Sequence, residues 1–575
     1  MISATQPHYP GLADSLLFQA KAIGLRWRRK AIELATRSFA HPHRRGFSLV
    51  AAPAIAEAQS PLWTNVAGPK ERALTAGKVH NMRLALRGID GVEVAAGEIF
   101  SFWKQVGRPS RARGFVAGRE LREGCLIASP GGGLCQLSNA LYEAALRAGF
   151  EIVERHAHSR RVPGSRAALG RDATVFWNYV DLRFRAPRAF RIEARLSSDA
   201  LVVAFRAAAP GVELHLSSPI GDVAVAHDCV SCGESDCRRN NPEISNDNSL
   251  SSAWLVDAAT PEFSALFDRL ARPYDALMLP TRRFAGKRYG WPTGRCQRES
   301  AATFATLRRS LALRHAGQGG ALQAKALEAD ARLAAAYAAR LSHLDTHLFV
   351  AQNLAPHLWR LGVLQGRRFS VLMQRLPMAA LQARLDEAAL RYQESPTLAD
   401  FRAPPEIVAA ENAALAEADV LYAAHPEIAA GFPDKTVLLD WAPARPMAAR
   451  PGGATVLFPA SALARKGAYA LREAIAGLDL DLIVAGEAVE VEGFWNGLRV
   501  RRLHPGEKLA EIAAIVLPAI VEHQPRTLLA ALASDIPVIA TPACGLAPRD
   551  GLTLVPPMDA GALRAALVAC IEKRV

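Results

Sequence analysis

Between Thr455 and Ala540, short and mostly apolar runs recur at 455–458, 481–485, 498–503, 514–517 and 536–540, with helical patterns or turn residues between them. Strands that are apolar on both faces need helices above and below, which is how a parallel, doubly wound sheet is covered. No other feature restricts the fold so tightly. The same alternation extends back to strands expected at Tyr274–Leu279, Thr346–Gln352 and Val420–Ala423 and to a long Ala-rich helix over residues 320–342.

The rhythm before residue 206 is different. Helical periodicity over 73–87 and 137–148 is followed by short strands at Glu151–Arg155, Thr174–Trp177, Asp181–Arg185, Phe190–Leu196 and Leu201–Phe205. That order belongs to an α+β domain with a mostly antiparallel sheet. A chain of 575 residues exceeds one ordinary domain. The expected fold class is therefore multidomain, an α+β domain followed by an α/β region with two Rossmann-like parallel-sheet halves. The expected division is a basic segment at 1–60, the α+β domain at 61–206, a cysteine-bearing connector at 207–272, and two α/β halves at 273–450 and 451–575.

The formal charge of +14 suits acidic partners such as nucleotide phosphates, anionic headgroups and cell-wall polymers. The arginines are scattered with no aromatic-studded stripe, which argues against nucleic acid. No strand-G-x-G-x-x-G-helix element marks a dehydrogenase. No apolar run reaches the ~18 residues that cross a bilayer. Leu16 to Trp27 is broken by Lys21 and Arg26 and followed by further basic residues, the wrong charge order for a secretory signal. The expected location is cytoplasmic, with residues 14–38 able to form a basic amphipathic helix at the inner membrane surface.

The densest chemistry lies in Gly131-Gly132-Gly133-Leu134-Cys135-Gln136-Leu137-Ser138. Glycines permit close approach of a ligand to the backbone. A cysteine in the first turn of a helix gains thiolate character from the helix dipole. His156 and His158 follow, then Asp172, Asn178 and Asp181. This is the order of cysteine nucleophile, histidine base and orienting acid or amide. Cys135 would attack a carbonyl, His158 or His156 would take the proton, and Asp172 or Asn178 would hold the ring. A non-catalytic binding site uses the same residues equally well.

Gly97-Glu98-Ile99-Phe100-Ser101-Phe102, the run Gly131 to Tyr142, Glu154-Arg155-His156-Ala157-His158-Ser159 and Asp172-Ala173-Thr174-Val175 resemble, in order, the motifs of VanW family proteins. The family takes its name from an accessory protein of glycopeptide-antibiotic (vancomycin) resistance clusters. The resemblance implies a link to the cell envelope and leaves the activity open. Ser138-Asn139-Ala140 stands where the family usually has Ser-Thr-Thr.

Cys229, Cys232 and Cys237 form C-x2-C-x4-C with Gly233 at the turn. This knuckle presents thiolates to zinc, with Cys296 or His227 as fourth ligand. An iron–sulfur cluster is the alternative, and three reduced thiols in a loop the plain one.

Residues 454–573 resemble the C-terminal half of GT-B glycosyltransferases of the retaining, glycogen-synthase-like kind. The likeness rests on Arg465-Lys466-Gly467, Val484-Ala485-Gly486, Val516-Leu517-Pro518 leading to Glu522, and Ile536-Pro537-Val538-Ile539-Ala540. It implies a nucleotide-sugar donor, with Arg465, Lys466 and Gly467 at the phosphates and Glu522 at ribose or sugar hydroxyls. Ala530 replaces the second glutamate of that family and Asp535 its glycine. The function expected is glycosyl transfer in envelope glycan biosynthesis, to a glycan, lipid or cell-wall acceptor. The alternatives are a non-catalytic glycan- or nucleotide-binding scaffold, and a cysteine-dependent acyltransferase or hydrolase with a degenerate GT-B tail.

Overall fold

A computed structural model of the chain describes residues 12–36, 40–63, 68–122, 125–158, 172–208, 227–228, 250–282, 287–317, 319–504, 506–507 and 509–572. Two compact units emerge. One runs to Ser252 and takes in the short stretches Leu341–His347 and Leu364–Arg368. The other comprises Ala253–Arg340, Leu348–Val363 and Phe369 onward.

In the first unit a four-stranded antiparallel sheet is ordered Ala54–Pro61, Ala200–Arg206, Phe190–Leu196, Val92–Val94. Along Phe190–Leu196, residues 190, 192, 194 and 196 are buried and the arginines and glutamate between them are not. That period-2 pattern gives the sheet one apolar face. The helices Pro69–Ile89 and Leu134–Arg147 cover it with Met82, Leu86, Leu137 and Leu141. Aromatic rings fill the centre, with Phe150 stacked on Phe205 at 5.3 Å and Phe100 on Phe184 at 4.8 Å. A second, three-stranded sheet joins Ile99–Ser101, Arg183–Arg185 and Glu151–Glu154.

The basic segment up to residue 60 contains the helix Leu12–Thr36, where a helix over 14–38 is expected, and an edge strand that is not expected, Ala54–Pro61. In that strand only Ala56 and Ala58 turn inward, and alanines this small leave little apolar contrast to read. The helix is tied down by Arg29 and Glu33, while Leu16, Leu17, Trp27 and Leu34 stay exposed. No described helix is long and apolar enough to cross a membrane. The strand expected at 174–177 is reduced to one bridge between Phe176 and Val180.

In the second unit the first sheet has seven strands, ordered Arg298–Ala301, Ala276–Leu279, Ser251–Leu255, Asp345–Ala351, Arg368–Met373, Val420–Ala423, Thr436–Leu438. It opens with Ser251–Leu255, inside the stretch taken as connector. The Asn- and Ser-rich residues just before this strand hide its start. The second sheet has six strands, Val500–Arg502, Asp481–Val484, Arg450–Phe458, Glu511–Leu517, Val538–Ala540 and Leu552–Leu554, all paired in parallel. The fold is thus an α+β domain with small antiparallel sheets, followed by two parallel-sheet halves.

The glycine run before Leu134–Arg147 serves the chain itself. A methyl group built on Gly132 would lie 2.1 Å from the Gly118 carbonyl oxygen and 2.2 Å from its carbon. Asn81 ties the same two strands together, donating to the Val116 and Gly132 carbonyls at 3.0 Å each. The neighbouring backbone occupies the space that the sequence suggested a ligand would use. Gly132→Ala should lower stability by about 2 kcal/mol or more, because the clashing atoms are main chain on a strand. Chemical denaturation of the two proteins checks this, and an unchanged midpoint would contradict the close packing.

Candidate functional site

The helix Leu134–Arg147 starts behind Gly133 and carries Cys135 as its second residue. The Cys135 thiol is half-buried, with Sγ 3.7 Å from Thr174 Oγ1 and 3.8 Å from the Val175 carbonyl. The His158 side chain lies near enough to this thiol to act on its charge. On its other side, His158 Nδ1 lies 2.6 Å from Asp172 Oδ2, which also accepts the His158 backbone N–H at 2.7 Å. Asp172 Oδ1 accepts from Arg155 Nη2 at 3.0 Å. The Arg155 guanidinium lies 5.4 Å from the centre of the Tyr142 ring.

These contacts set the charges. Burial pushes the Cys135 thiol up, but the hydrogen bond and charge of His158 outweigh it and hold the thiol below its ordinary range. Burial pushes the His158 ring toward neutrality, yet the Asp172 hydrogen bond and the Cys135 sulfur lift its pKa to about 10. Burial likewise pushes the Asp172 carboxyl up, and its bonds to His158 bring it below the usual carboxylate range. The site thus sets a thiol biased toward thiolate, an imidazolium and a carboxylate in series, with the sulfur at the positive end of a helix.

The cysteine helix also places the acid. Ser138 Oγ donates to the Ala173 carbonyl at 2.6 Å, and Asn139 Oδ1 accepts the Ala173 N–H at 2.7 Å. The residue after Asp172 is therefore clamped from both sides by the turn that follows Cys135. Asn139, a departure from the usual family residue, supplies one of these bonds. His156 points elsewhere; it is half-exposed, with Nε2 3.2 Å from Glu154. Asp181 is buried and occupied by Ser101 Oγ at 2.6 Å, Arg183 Nε at 2.9 Å and the Trp103 N–H at 3.1 Å. Gln136 reaches away to Ser60 and Pro61.

In the second unit, Lys466 and Glu522 meet at 2.7 Å on the wall of a cavity of about 440 Å³. The cavity lies beyond the C-terminal ends of Arg450–Phe458 and Glu511–Leu517, where open α/β sheets bind ligands. Burial pushes the Glu522 carboxyl up, but Lys466 brings it below its usual range. Arg465 lies 5.0 Å over the Phe401 ring. Gly467 has φ +82°, and a methyl there would lie 1.9 Å from the Pro518 carbonyl, so this glycine serves packing of the two loops.

Sequence reasoning missed the opposite wall. Arg375 pairs at 2.8 Å with Glu411, which is wholly buried. Asp330, on the helix Gly320–Ala338, is raised to about 7 by burial, against the pull of nearby Arg309. His523 is held neutral, at about 3, by burial and then by neighbouring His425 and Arg375. These residues come from distant segments, and no local spacing announces them; the one available signal was Arg375 directly after an apolar strand.

Cys229, Cys232 and Cys237 lie outside the described residues. Cys296 is buried among Trp291, Phe267 and other apolar side chains, and burial, then Asp275 and Glu299, push its thiol up to about 11. A zinc-binding thiolate is disfavoured in that setting.

Residues 77–206 match the family model described as VanW like protein. Over 106 residues the chain is 42% identical to the uncharacterized protein YoaR of Bacillus subtilis, covering 18% of this chain and 34% of that one. Over 111 residues it is 33% identical to the vancomycin B-type resistance protein VanW of Enterococcus faecalis, covering 19% and 40%. The chain thus spans well under half the length of the curated relatives it matches. Solved structures similar to it include sucrose-phosphate synthase from Thermosynechococcus elongatus, at 18% identity and TM-score 0.34 over 52% of this chain and 80% of that one. Another is Anabaena HepE in complex with UDP and glucose, at 12% identity and TM-score 0.32 over 56% and 90%. Values this low leave the chemistry to the residues themselves. The chain carries a VanW-like domain followed by the two parallel-sheet halves.

A thiol pKa below the ordinary value means more thiolate at neutral pH than a free cysteine has. Iodoacetamide should therefore alkylate Cys135 faster at pH 7 than it does a free cysteine, with the rate falling as the pH drops through the lowered thiol pKa. Asp172→Asn, which weakens the imidazolium, should move the midpoint of that pH–rate profile toward higher pH by about one unit. Peptide mass spectrometry over a pH series reads this directly. A Cys135 profile matching that of a free thiol would remove the ion pair.

Proposed function

We propose that the VanW-like domain is a cysteine-nucleophile enzyme that cleaves or transfers acyl groups of cell-envelope polymers. The observation that supports it is the Cys135–His158–Asp172 series, in which the thiol is held as thiolate by a ring that the acid orients. The Cys135 sulfur adds to the carbonyl carbon of an amide or ester, and the C=O electron pair moves onto oxygen. Backbone N–H groups at the start of the helix Leu134–Arg147, that of Gln136 excepted because it donates to the Gly133 carbonyl, are the donors available to that oxyanion. With Nδ1 on Asp172, the other ring nitrogen is left for the sulfur. Its proton passes to the departing amine or alcohol as the C–N or C–O bond breaks, giving a thioester on Cys135. Water, or an amine or hydroxyl of an acceptor, then attacks the thioester while His158 takes the incoming proton. Sulfur leaves as thiolate.

A second site is favoured by the cavity of the other unit. Lys466, Arg465 and Arg375 supply cationic groups for a diphosphate and Glu522 a carboxylate for hydroxyls. This supports a nucleotide-sugar donor and glycosyl transfer to an envelope glycan. The two halves of the chain would then modify the same polymer.

Incubating the protein with muropeptides and O-acylated glycans should give a mass increase on Cys135 equal to the acyl group, absent in Cys135→Ala. If no donor in this set adds mass while iodoacetamide still labels the residue, the acyl reading fails.

Melting the protein with UDP-, GDP- and other nucleotide sugars tests the second site. A donor at about 100 times its dissociation constant should add ~2.7 kcal/mol of stability, and Lys466→Ala or Glu522→Ala should remove the gain. No shift with any donor would leave the cavity without a nucleotide role.

A further inference from the structure

We infer a zinc site in the first unit, built by His41, His43 and Glu98, on residues that the proposed catalytic series does not use. In His41-Pro42-His43 the proline fixes its own φ and drives His41 into extended backbone. Side chains two apart on an extended chain point to the same side. The two imidazole rings accordingly lie 4.8 Å apart, centre to centre. Glu98, from the turn before Ile99–Ser101, closes the group, with Oε2 3.3 Å from His43 Nδ1 and Oε1 3.8 Å from His41 Nε2. One ligand atom from each residue falls within 4.8 Å of the other two.

The environment of His43 points to a cation. Its Nε2 lies 3.0 Å from the Ile99 carbonyl, which can only accept, so the ring proton sits there. The Nδ1 lone pair then faces a carboxylate oxygen at 3.3 Å, two acceptors in opposition unless a positive centre lies between them. Ligands 2.0–2.1 Å from tetrahedral zinc stand about 3.3 Å from one another. A backbone carbonyl on the second ring nitrogen is the usual outer partner of a metal-bound histidine. His43 is buried and prepositioned, because Gln105 bonds its backbone N–H at 2.9 Å and its carbonyl at 3.1 Å. His41 and Glu98 remain partly exposed, which leaves room for water as fourth ligand. Two imidazoles and a carboxylate suit zinc over calcium or magnesium. This site uses none of the knuckle cysteines.

The full chain, stripped with chelator and titrated with cobalt chloride and with zinc chloride, tests the assignment. One cobalt per chain should bind without a thiolate-to-metal charge-transfer band. His41→Ala and Glu98→Gln should each weaken that binding by about tenfold or more. Both positions are partly exposed, and circular dichroism verifies that the variants fold. Unchanged stoichiometry and affinity in both variants would overturn the site. So would binding seen solely with thiolate bands, which would put the metal on cysteines, or no binding at all, which would leave a proton between His43 and Glu98.

Discussion

One carboxylate, Asp172, fixes the chemistry of the first unit. Its Oδ2 takes both the backbone N–H and the ring nitrogen of His158, so the main chain and the imidazole are oriented by one atom. Its Oδ1 is occupied by Arg155, which bonds the Asp172 carbonyl as well. A carboxylate engaged on this many sides cannot rotate away from the ring, and the ring cannot turn from the sulfur without losing a charged hydrogen bond. The arrangement resists the penalty that burial imposes on each charge, because no member of the series is left without an opposite partner. Ser138 and Asn139 then carry the constraint into the cysteine helix, so that thiol and acid share one rigid support.

The parallel sheets were legible because their strands are apolar on both faces. Val420–Ala423 and the core of Glu511–Leu517 stand where the pattern puts them. Several strands were not legible, and for two of them the residues show why. Ala54–Pro61 presents alanines where larger residues would have shown a period, and Ser251–Leu255 follows a polar stretch that reads as loop. The helix starts expected at 73, 137 and 320 fall within a few residues of Pro69, Leu134 and Gly320, with Gly133 marking one of these boundaries. In the site, residue types and order pointed to Cys135, a histidine and an acid. Spacing could not choose between His156 and His158, because the choice is made by a carboxylate fourteen positions further on. The roles assigned to the glycines were the least legible. A glycine forced by a neighbouring strand, as at Gly132, looks in sequence like a glycine kept for a ligand.

The departures from the GT-B pattern separate backbone from chemistry. Asp535 stands where that family has glycine, and its φ is +56°. The left-handed turn before the strand Val538–Ala540 is therefore kept, by one of the few side chains that tolerate it. Ala530 is different in kind. It lies on the helix Arg526–Leu532 and leaves a methyl group where a second carboxylate would stand. The turn costs little to conserve with another residue, whereas a carboxylate has no substitute in alanine. Glu522 is then the acid that this loop offers, and Lys466 already occupies it. On the proposed reading, a phosphate-bearing ligand would compete with Glu522 for Lys466, so its charge would have to be met largely by Arg375 and Arg465. Since Arg375 is itself held by buried Glu411, a ligand of that kind would be favoured if it brought hydroxyls as well as phosphates. Hydroxyls can share Glu522 with Lys466 without breaking the pair, whereas a bare phosphate cannot.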